Sequence, residues 1–238
     1  MKKPPVKKSP PRPRTRGGRW RRILLSIALA IAGYYLLCLI GLVMLRWVDP
    51  IFTTVHVQRR IESLFSKGKY SKRYDFVPMR RISPQLRHAV IAAEDLGFYS
   101  HHGVDWAEMK KVVDESIKKG EVGRGGSTIS MQLVKNLFLT THRNPLRKVA
   151  EWALVFPAEW ILPKDRILEL YLNVIEWGPG VFGAEAASRY HYHTSAALLD
   201  REQSARLAAI VPAPRSRRPP RMNQYSAEIQ ARMTMMGW

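Results

Sequence analysis

The residues best placed to do chemistry fall in three short blocks. The first, EDLGFYSHHG over 94–103, sets Glu94 beside Asp95 after an apolar stretch. The second, GRGGSTISMQLVKN over 123–136, runs from a glycine cluster through Ser127, Thr128, Gln132, Lys135 and Asn136. The third, RKVAE over 147–151, adds Arg147 and Glu151, with Arg143 just ahead of it. Carboxylates can take up a proton, hydroxyls and an amide can hold polar hydroxyl groups, and lysine and arginine can neutralise an anion. Together they are the parts of a site that activates a hydroxyl nucleophile and stabilises a charged leaving group.

Each block also has a plainer reading. Two adjacent carboxylates at a helix C-terminus repel each other and meet the negative end of the helix dipole, and both effects raise a carboxyl pKa. Phe98 and Tyr99 could supply apolar cover. Taken alone, though, such a pair reads as solvated acids, because structural acids outnumber catalytic ones. In the second block Thr128, Gln132 and Lys135 fall at i, i+4 and i+7 on one helical face, with Ile129, Leu133 and Leu137 on the next face as an anchor. A helix N-terminus after glycines suits an anion. The same pattern also describes a capped surface helix, and no GK[ST] follows, which rules out a P-loop. Arg147 and Glu151 are an i, i+4 pair. They read either as an ordinary ion pair worth about 0.2–0.5 kcal/mol or as a second carboxylate across a cleft from the first, with Arg147 and Arg143 on a phosphate. The histidine pairs at 101–102 and 191–193 have no metal-ligand spacing, and no HExxH is present. Glu169, in KDRILELYLN, is expected to pair locally or hold a neighbouring helix.

The elements that position these blocks read as helices. Ser83-Pro84 opens one with a good cap and proline at the first position. Its buried stripe is Leu86, Ala89, Val90 and Ala93, and Gly97 ends it. Further helices are expected over 106–119, 128–139, from Asn144-Pro145, over 164–173, over 184–190 and over 200–211, with a short one near 56–65. Pro157 is expected to bend or stop the helix that contains Glu151. Gly178, Gly180 and Gly183 mark a tight loop, the basic stretch over 67–83 reads as extended, and the chain beyond Pro214 is ambiguous. No alternating pair of runs signals a hairpin.

The chain is 238 residues long with a formal charge of +20. Residues 1–22 hold ten basic residues, five prolines and no acid, a composition that cannot bury a core and reads as a disordered tail. Residues 23–45 carry no charge. A helix of that length spans about 34 Å, enough for a bilayer core of roughly 30 Å. A signal peptide fits less well, because the apolar run is too long and no A-x-A-like site follows. The basic flank places the tail in the cytoplasm and the rest outside. The organisation expected is a tail over 1–22, a span over 23–45, a connector over 46–66 and one domain over 67–238. The single cysteine, Cys38, lies in the span, so disulfide and thiol chemistry are not expected of the exported part. The remaining positive charge suits anionic lipid or a phosphate-bearing substrate at a membrane. No nucleic-acid motif is present.

At EDxxFxxHxG, GGSTIxxQLxKN, RKxxE, KDRILELYLN and GxGxxGxxxAAxxY, with LAAIVPAP near the end, the chain resembles the family-51 glycosyltransferases, the peptidoglycan polymerases. The likeness runs from about Phe76 to Pro214, and an anchor with no transpeptidase domain behind it is similar to the monofunctional branch. The resemblance implies a mainly α fold, with a lysozyme-like helical domain and a small membrane-facing jaw behind a single transmembrane helix, held in a bacterial inner membrane with the catalytic domain periplasmic. It implies polymerisation of lipid II into β-1,4 glycan. In that reading Glu94 is the general base. Lys135, Arg143 and Arg147 bind the pyrophosphate, and Glu151 assists its departure. Asp95, Phe98, His101, Ser127, Thr128, Gln132 and Asn136 support substrate binding. No cofactor is required, although Mg or Mn at the pyrophosphate fits the chemistry. Partners implied are lipid II, lipid-linked glycan and the membrane, with cell-division or other cell-wall synthesis proteins as candidates. The chain departs from the family pattern at Met131, which replaces a usual glutamine, and at Pro157. A lysozyme-like hydrolase and a non-catalytic membrane-tethered module remain as rivals. The basic cluster argues against the first, and the intact Glu94 and Glu151 argue against the second.

Overall fold

The computed structural model describes residues 17–66, 70–119, 126–142 and 144–238. The expectations placed on residues 1–16, on the basic residues 67–69, on Gly120, Gly123 and Gly125, and on Arg143 lie outside the described residues. The chain forms two compact units, 1–38 and 39–238.

Helix α1 (Gly17–Leu45) begins ahead of the apolar run, because the Arg-Trp-Arg-Arg segment is itself compatible with helix. Its part from Arg19 to Leu45 is the one helix among the described residues long and apolar enough to cross a membrane. Its last turns belong to the larger unit. Leu42 and Leu45 are buried there. The carbonyls of Leu45 and Val48 accept 2.8 and 3.0 Å hydrogen bonds from the Arg166 guanidinium, and Arg46 donates to the carbonyl of Ile161 at 2.6 Å.

The larger unit is mainly helical: α2 (Thr54–Leu64), α3 (Pro84–Glu94), α4 (Trp106–Lys119), α5 (Ile129–Phe138), α6 (Pro145–Ile161), α7 (Lys164–Val174), α8 (Ala184–Tyr192), α9 (Arg201–Ile210) and α10 (Asn223–Met235). The expected caps operate. Ser83 and Asn144 each accept a backbone N–H ahead of a first-turn proline, and Asp200 forms a reciprocal capping box with Gln203, satisfying N–H groups that a helix start leaves unpaired. Helix α3 packs on α9, which packs on α10, while α5 packs on α6 and α7.

Three features depart from the expectations. Pro157 does not stop α6, which continues to Ile161. Val155, Ala158 and Leu162 are buried around it, so tertiary packing offsets the cost of an internal proline. The glycine loop carries a small sheet, order β1-β3-β2, made of β1 (Arg73–Tyr74), β2 (Glu176–Gly178) and β3 (Val181–Phe182). Strands β1 and β3 are parallel and β2 and β3 antiparallel, with a bulge between Glu176 and Gly178. Such short strands leave no periodic signal. Gly183 has φ +84, and a Cβ there would lie 2.6 Å from the Asn173 carbonyl oxygen, so this corner requires glycine. The ambiguous C-terminus forms α10, whose Ile229 and Met233 are fully buried.

Candidate active site

Glu94 ends α3 and presents its carboxylate to α5. The Gln132 side-chain amide donates to Glu94 Oε2 at 2.7 Å. The amide oxygen of Gln132 accepts from the Tyr171 hydroxyl at 3.0 Å, so Tyr171 on α7 decides which end of the amide faces Glu94. Burial pushes the Glu94 carboxyl above its ordinary range, while the Gln132 hydrogen bond and the charges of Lys135 and Arg217 pull it back; Asp95 adds an upward contribution. The expected cause, repulsion from Asp95 at a helix end, is therefore secondary to desolvation. Burial also raises the Tyr171 hydroxyl well above its usual value, reinforced by Glu94 and Asp95. Tyr171 thus remains a hydrogen-bond donor.

Asp95 points elsewhere. One oxygen accepts the Ile129 N–H at 2.9 Å and the other lies 2.8 Å from His101 Nε2. Thr128 caps the same helix, accepting the Met131 N–H at 3.2 Å and donating to the Gly103 carbonyl at 2.5 Å. Asp95, His101 and Thr128 thus fasten the start of α5, the helix that carries Gln132 and Lys135. Phe98 is completely buried, whereas Tyr99 is exposed and bonds Asp165, so only Phe98 provides apolar cover. Asn136 is buried and donates to the backbone carbonyl of Gln132 at 2.8 Å; its amide stabilises the helix. Met131 is in the core, away from the polar face as expected.

Glu151, 2 % exposed, is gripped from two sides. Arg147 reaches one oxygen at 2.5 Å and Lys148 the other at 2.6 Å. A carboxylate this deeply placed needs such partners, so the pair is more than a surface i, i+4 contact. Lys148 also donates to the Ser127 hydroxyl at 3.1 Å, tying the start of α6 to the entry of α5. Arg147 is further held by the His142 carbonyl at 2.8 Å.

Lys135 joins the two halves. Burial pushes its ammonium pKa down; Glu151 and then Glu94 support its charge, while Arg147 and Lys148 oppose it. Among the described residues no hydrogen-bond or ion-pair partner touches it. Lys135 is therefore a half-buried cation within electrostatic reach of both carboxylates and free to meet an incoming anion. A cavity of about 200 Å³ opens beside Glu94, bordered by Gly126, Ser127, Thr128 and Arg232. Arg232 donates to the Ala92 carbonyl at 3.3 Å.

Glu94, Gln132, Lys135, Arg147 and Glu151 thus form one connected constellation. Sequence reasoning missed Lys148, Tyr171, Arg217 and Arg232. Lys148 lies i, i+3 from Glu151 and was open to detection by spacing. Tyr171 lay in a quoted motif without a role, and the two arginines carried no local signal. Glu169 is structural, as expected: it accepts the Met79 N–H at 2.5 Å and pairs with Arg166.

A helical domain behind a membrane-length helix, with two carboxylates that both act electrostatically on one half-buried lysine, is the setting in which likeness to known proteins takes on meaning. Residues 60–236 match the family model described as Transglycosylase. The chain belongs to the transglycosylase family and is a peptidoglycan glycosyltransferase with a lysozyme-like helical domain. It is 45% identical over 221 residues to the biosynthetic peptidoglycan transglycosylase of Dechloromonas aromatica, covering 91% of this chain and 96% of the relative. It is 42% identical over 238 residues to the same-named protein of Bordetella pertussis, covering 95% and 98%. A third relative of that name, from Chromobacterium violaceum, is 48% identical over 165 residues, covering 68% and 72%.

Proposed function

We propose that the protein polymerises lipid II into linear β-1,4 glycan and releases polyprenyl pyrophosphate. The observation that carries this reading is Lys135, a half-buried cation with no ion-pair partner among the described residues, whose charge is supported by both Glu151 and Glu94. Glu94 takes the proton from the 4-hydroxyl of the acceptor sugar. That oxygen forms a bond to the anomeric carbon of the lipid-linked donor as the bond from that carbon to the pyrophosphate breaks. The electron pair leaves on the pyrophosphate, and Glu94 passes its proton to solvent. Attack opposite the departing group inverts an α-linked donor to a β link.

A carboxyl raised by burial is a stronger base than an ordinary one and still ionises, because Gln132 and Lys135 support its charged form. Lys135, Arg143 and Arg147 receive the pyrophosphate, whose charge grows as the bond breaks. Glu151 holds Arg147 and Lys148 in place for that event. Asp95, His101, Thr128 and Asn136 act by fixing α5, Phe98 as a buried core ring, and Ser127 by lining the cavity. The donor set does not suit a divalent ion held by the protein, since both Glu151 oxygens already carry cationic partners and no group of three metal-ligating side chains occurs among the described residues. Any Mg or Mn would arrive on the pyrophosphate. The helix ending at Leu45 anchors the enzyme in the inner membrane with its catalytic domain periplasmic, and prenyl-tailed substrates require a site at that surface. The cationic set favours synthesis over glycan cleavage, which needs no anion cradle.

The test is incubation of the purified protein with lipid-linked disaccharide-peptide and separation of the glycan by gel. Chain growth with release of polyprenyl pyrophosphate is expected, and Glu94→Gln should reduce it by about 10²–10⁴-fold. Shortening of preformed glycan, or full activity in Glu94→Gln, refutes the proposal.

A further inference from the structure

A cavity of about 360 Å³ lies between α2 and the extended segment ahead of β1, lined by Phe52, His56, Ile61 and Tyr70, with Arg60 and Lys72 also on its wall. Its volume is in the range of ligand pockets. Its lining is apolar apart from the two cations, the His56 imidazole and the Tyr70 hydroxyl. His56 is 3 % exposed and packs against the Tyr74 and Phe182 rings. Burial, and then the charge of Lys72, push the imidazole down to about 4, so at neutral pH the positive charge here belongs to Arg60 and Lys72.

The charges are unevenly matched. Arg59, one residue earlier, is neutralised by Glu62 and Glu176 at 2.8 Å each. Arg60 and Lys72 are exposed and have no ion-pair partner among the described residues. Lys72 is held over the Tyr74 ring at 5.0 Å from its centroid. The Tyr70 hydroxyl is buried without a hydrogen-bond partner among the described residues. An apolar cavity with two unmatched cations and a spare hydroxyl is complementary to an amphiphile with an anionic head and a hydrocarbon tail.

The position selects the source of that amphiphile. Trp47, Val48, Ile51 and Phe52, all exposed, follow directly on the end of the membrane-length helix, and Arg166 pins that exit to α7. Indole and aliphatic side chains at the end of a span mark the headgroup zone of a bilayer. We propose that this cavity binds one anionic phospholipid of the surrounding membrane, with an acyl chain against Phe52 and Ile61 and the phosphate on Arg60, Lys72 and the Tyr70 hydroxyl. The site lies on α2 and the segments just before α2 and β1, and shares no lining residue with the Glu94 constellation. It goes beyond the glycosyl-transfer reading, and its test reads lipid retention, so failure here leaves that reading untouched.

The test uses the full chain in detergent, delipidated and then supplied with dioleoyl phosphatidylglycerol or dioleoyl phosphatidylcholine, with retained lipid counted by native mass spectrometry. The wild type should retain one phosphatidylglycerol in clear preference to phosphatidylcholine. Arg60→Gln/Lys72→Gln should weaken that retention about tenfold, the loss expected for two charge-assisted contacts. The exposed Arg80→Gln should not change it. The basic tail is identical in all three proteins, so its own attraction for anionic lipid cancels. Ile61→Trp, which fills the cavity and leaves both cations, should also reduce retention; circular dichroism confirms folding in each case. Equal retention of the two lipids, or unchanged retention in the double glutamine variant, overturns the proposal. So does complete displacement of phosphatidylglycerol by an equimolar long-chain prenyl phosphate, which would make the substrate's tail the occupant.

Discussion

Removing the Tyr171 hydroxyl tests the electrostatics of the site without touching a carboxylate. Tyr171 is completely buried, and its hydroxyl fixes the Gln132 amide so that the NH2 group faces Glu94. Tyr171→Phe leaves the amide oxygen unsatisfied. The amide then either stays in place at a cost of about 1–3 kcal/mol or rotates and turns its oxygen toward Glu94. A hydrogen bond to a charged group contributes about 1.5–3 kcal/mol, so loss of the Gln132 donation corresponds to roughly a 10–150-fold fall in the ionised, base-competent arrangement. The sign is definite. The Gln132 bond lowers the Glu94 pKa against the upward push of burial, so losing it moves the pKa further up. In the proposed role Glu94 accepts a proton only when ionised, so the rising limb of kcat/KM against pH should shift to higher pH. Activity in Tyr171→Phe should then recover as pH is raised. The assay is initial-rate polymerisation of lipid-linked disaccharide from pH 5 to 9, for wild type, Tyr171→Phe, Gln132→Ala and the double variant. The two single effects should be strongly non-additive, because both act through one bond. A uniform loss of rate with an unmoved limb would refute the reasoning and leave Tyr171 as a packing residue.

Two further outcomes follow from the same geometry. Burial raises the folded-state pKa of Glu94 above its unfolded value, so its ionisation opposes folding: the cost is absent below about pH 4.3 and fully present once the pH exceeds the folded pKa. Glu94→Gln should therefore be more heat-stable than wild type at pH 7, with the gain vanishing in acid; a Tm difference that is constant with pH contradicts this. Asp95→Ala removes the acceptor for the Ile129 N–H and the partner of His101, and should cost about 1–2 kcal/mol of stability, as loss of a helix-start acceptor does. Denaturant unfolding measures it, and a midpoint shift no larger than that of a surface substitution would refute the capping role assigned to Asp95.

Much of this molecule is written locally. The uncharged run over 23–45 dictates a membrane-length helix by itself, because every position in it is apolar or small. Ser83-Pro84, Asn144-Pro145 and the Asp200–Gln203 box set helix starts through contacts of two or three residues. The 3.6-residue period likewise places Gln132 and Lys135 on one face of α5 while Met131 turns inward. What separates sequence from structure is range. Asp95 looked like a partner for Glu94, but it is the acceptor that fastens α5, a contact across 34 residues. Tyr171 orients Gln132 across 39, and Arg217 reaches the field of Glu94 from the far end of the chain. Pro157 reads as a bend or a stop in the helix, and only the packing around it shows that the helix continues to Ile161, while strands of two and three residues have no pattern to read. Spacing brings Gln132 with Lys135, and Arg147 with Glu151, onto common helix faces, but it carries no signal for Arg217 or Arg232. The protonation, orientation and mutual charge of the site residues depend on which groups the fold buries beside them, and burial is a property of the tertiary structure alone.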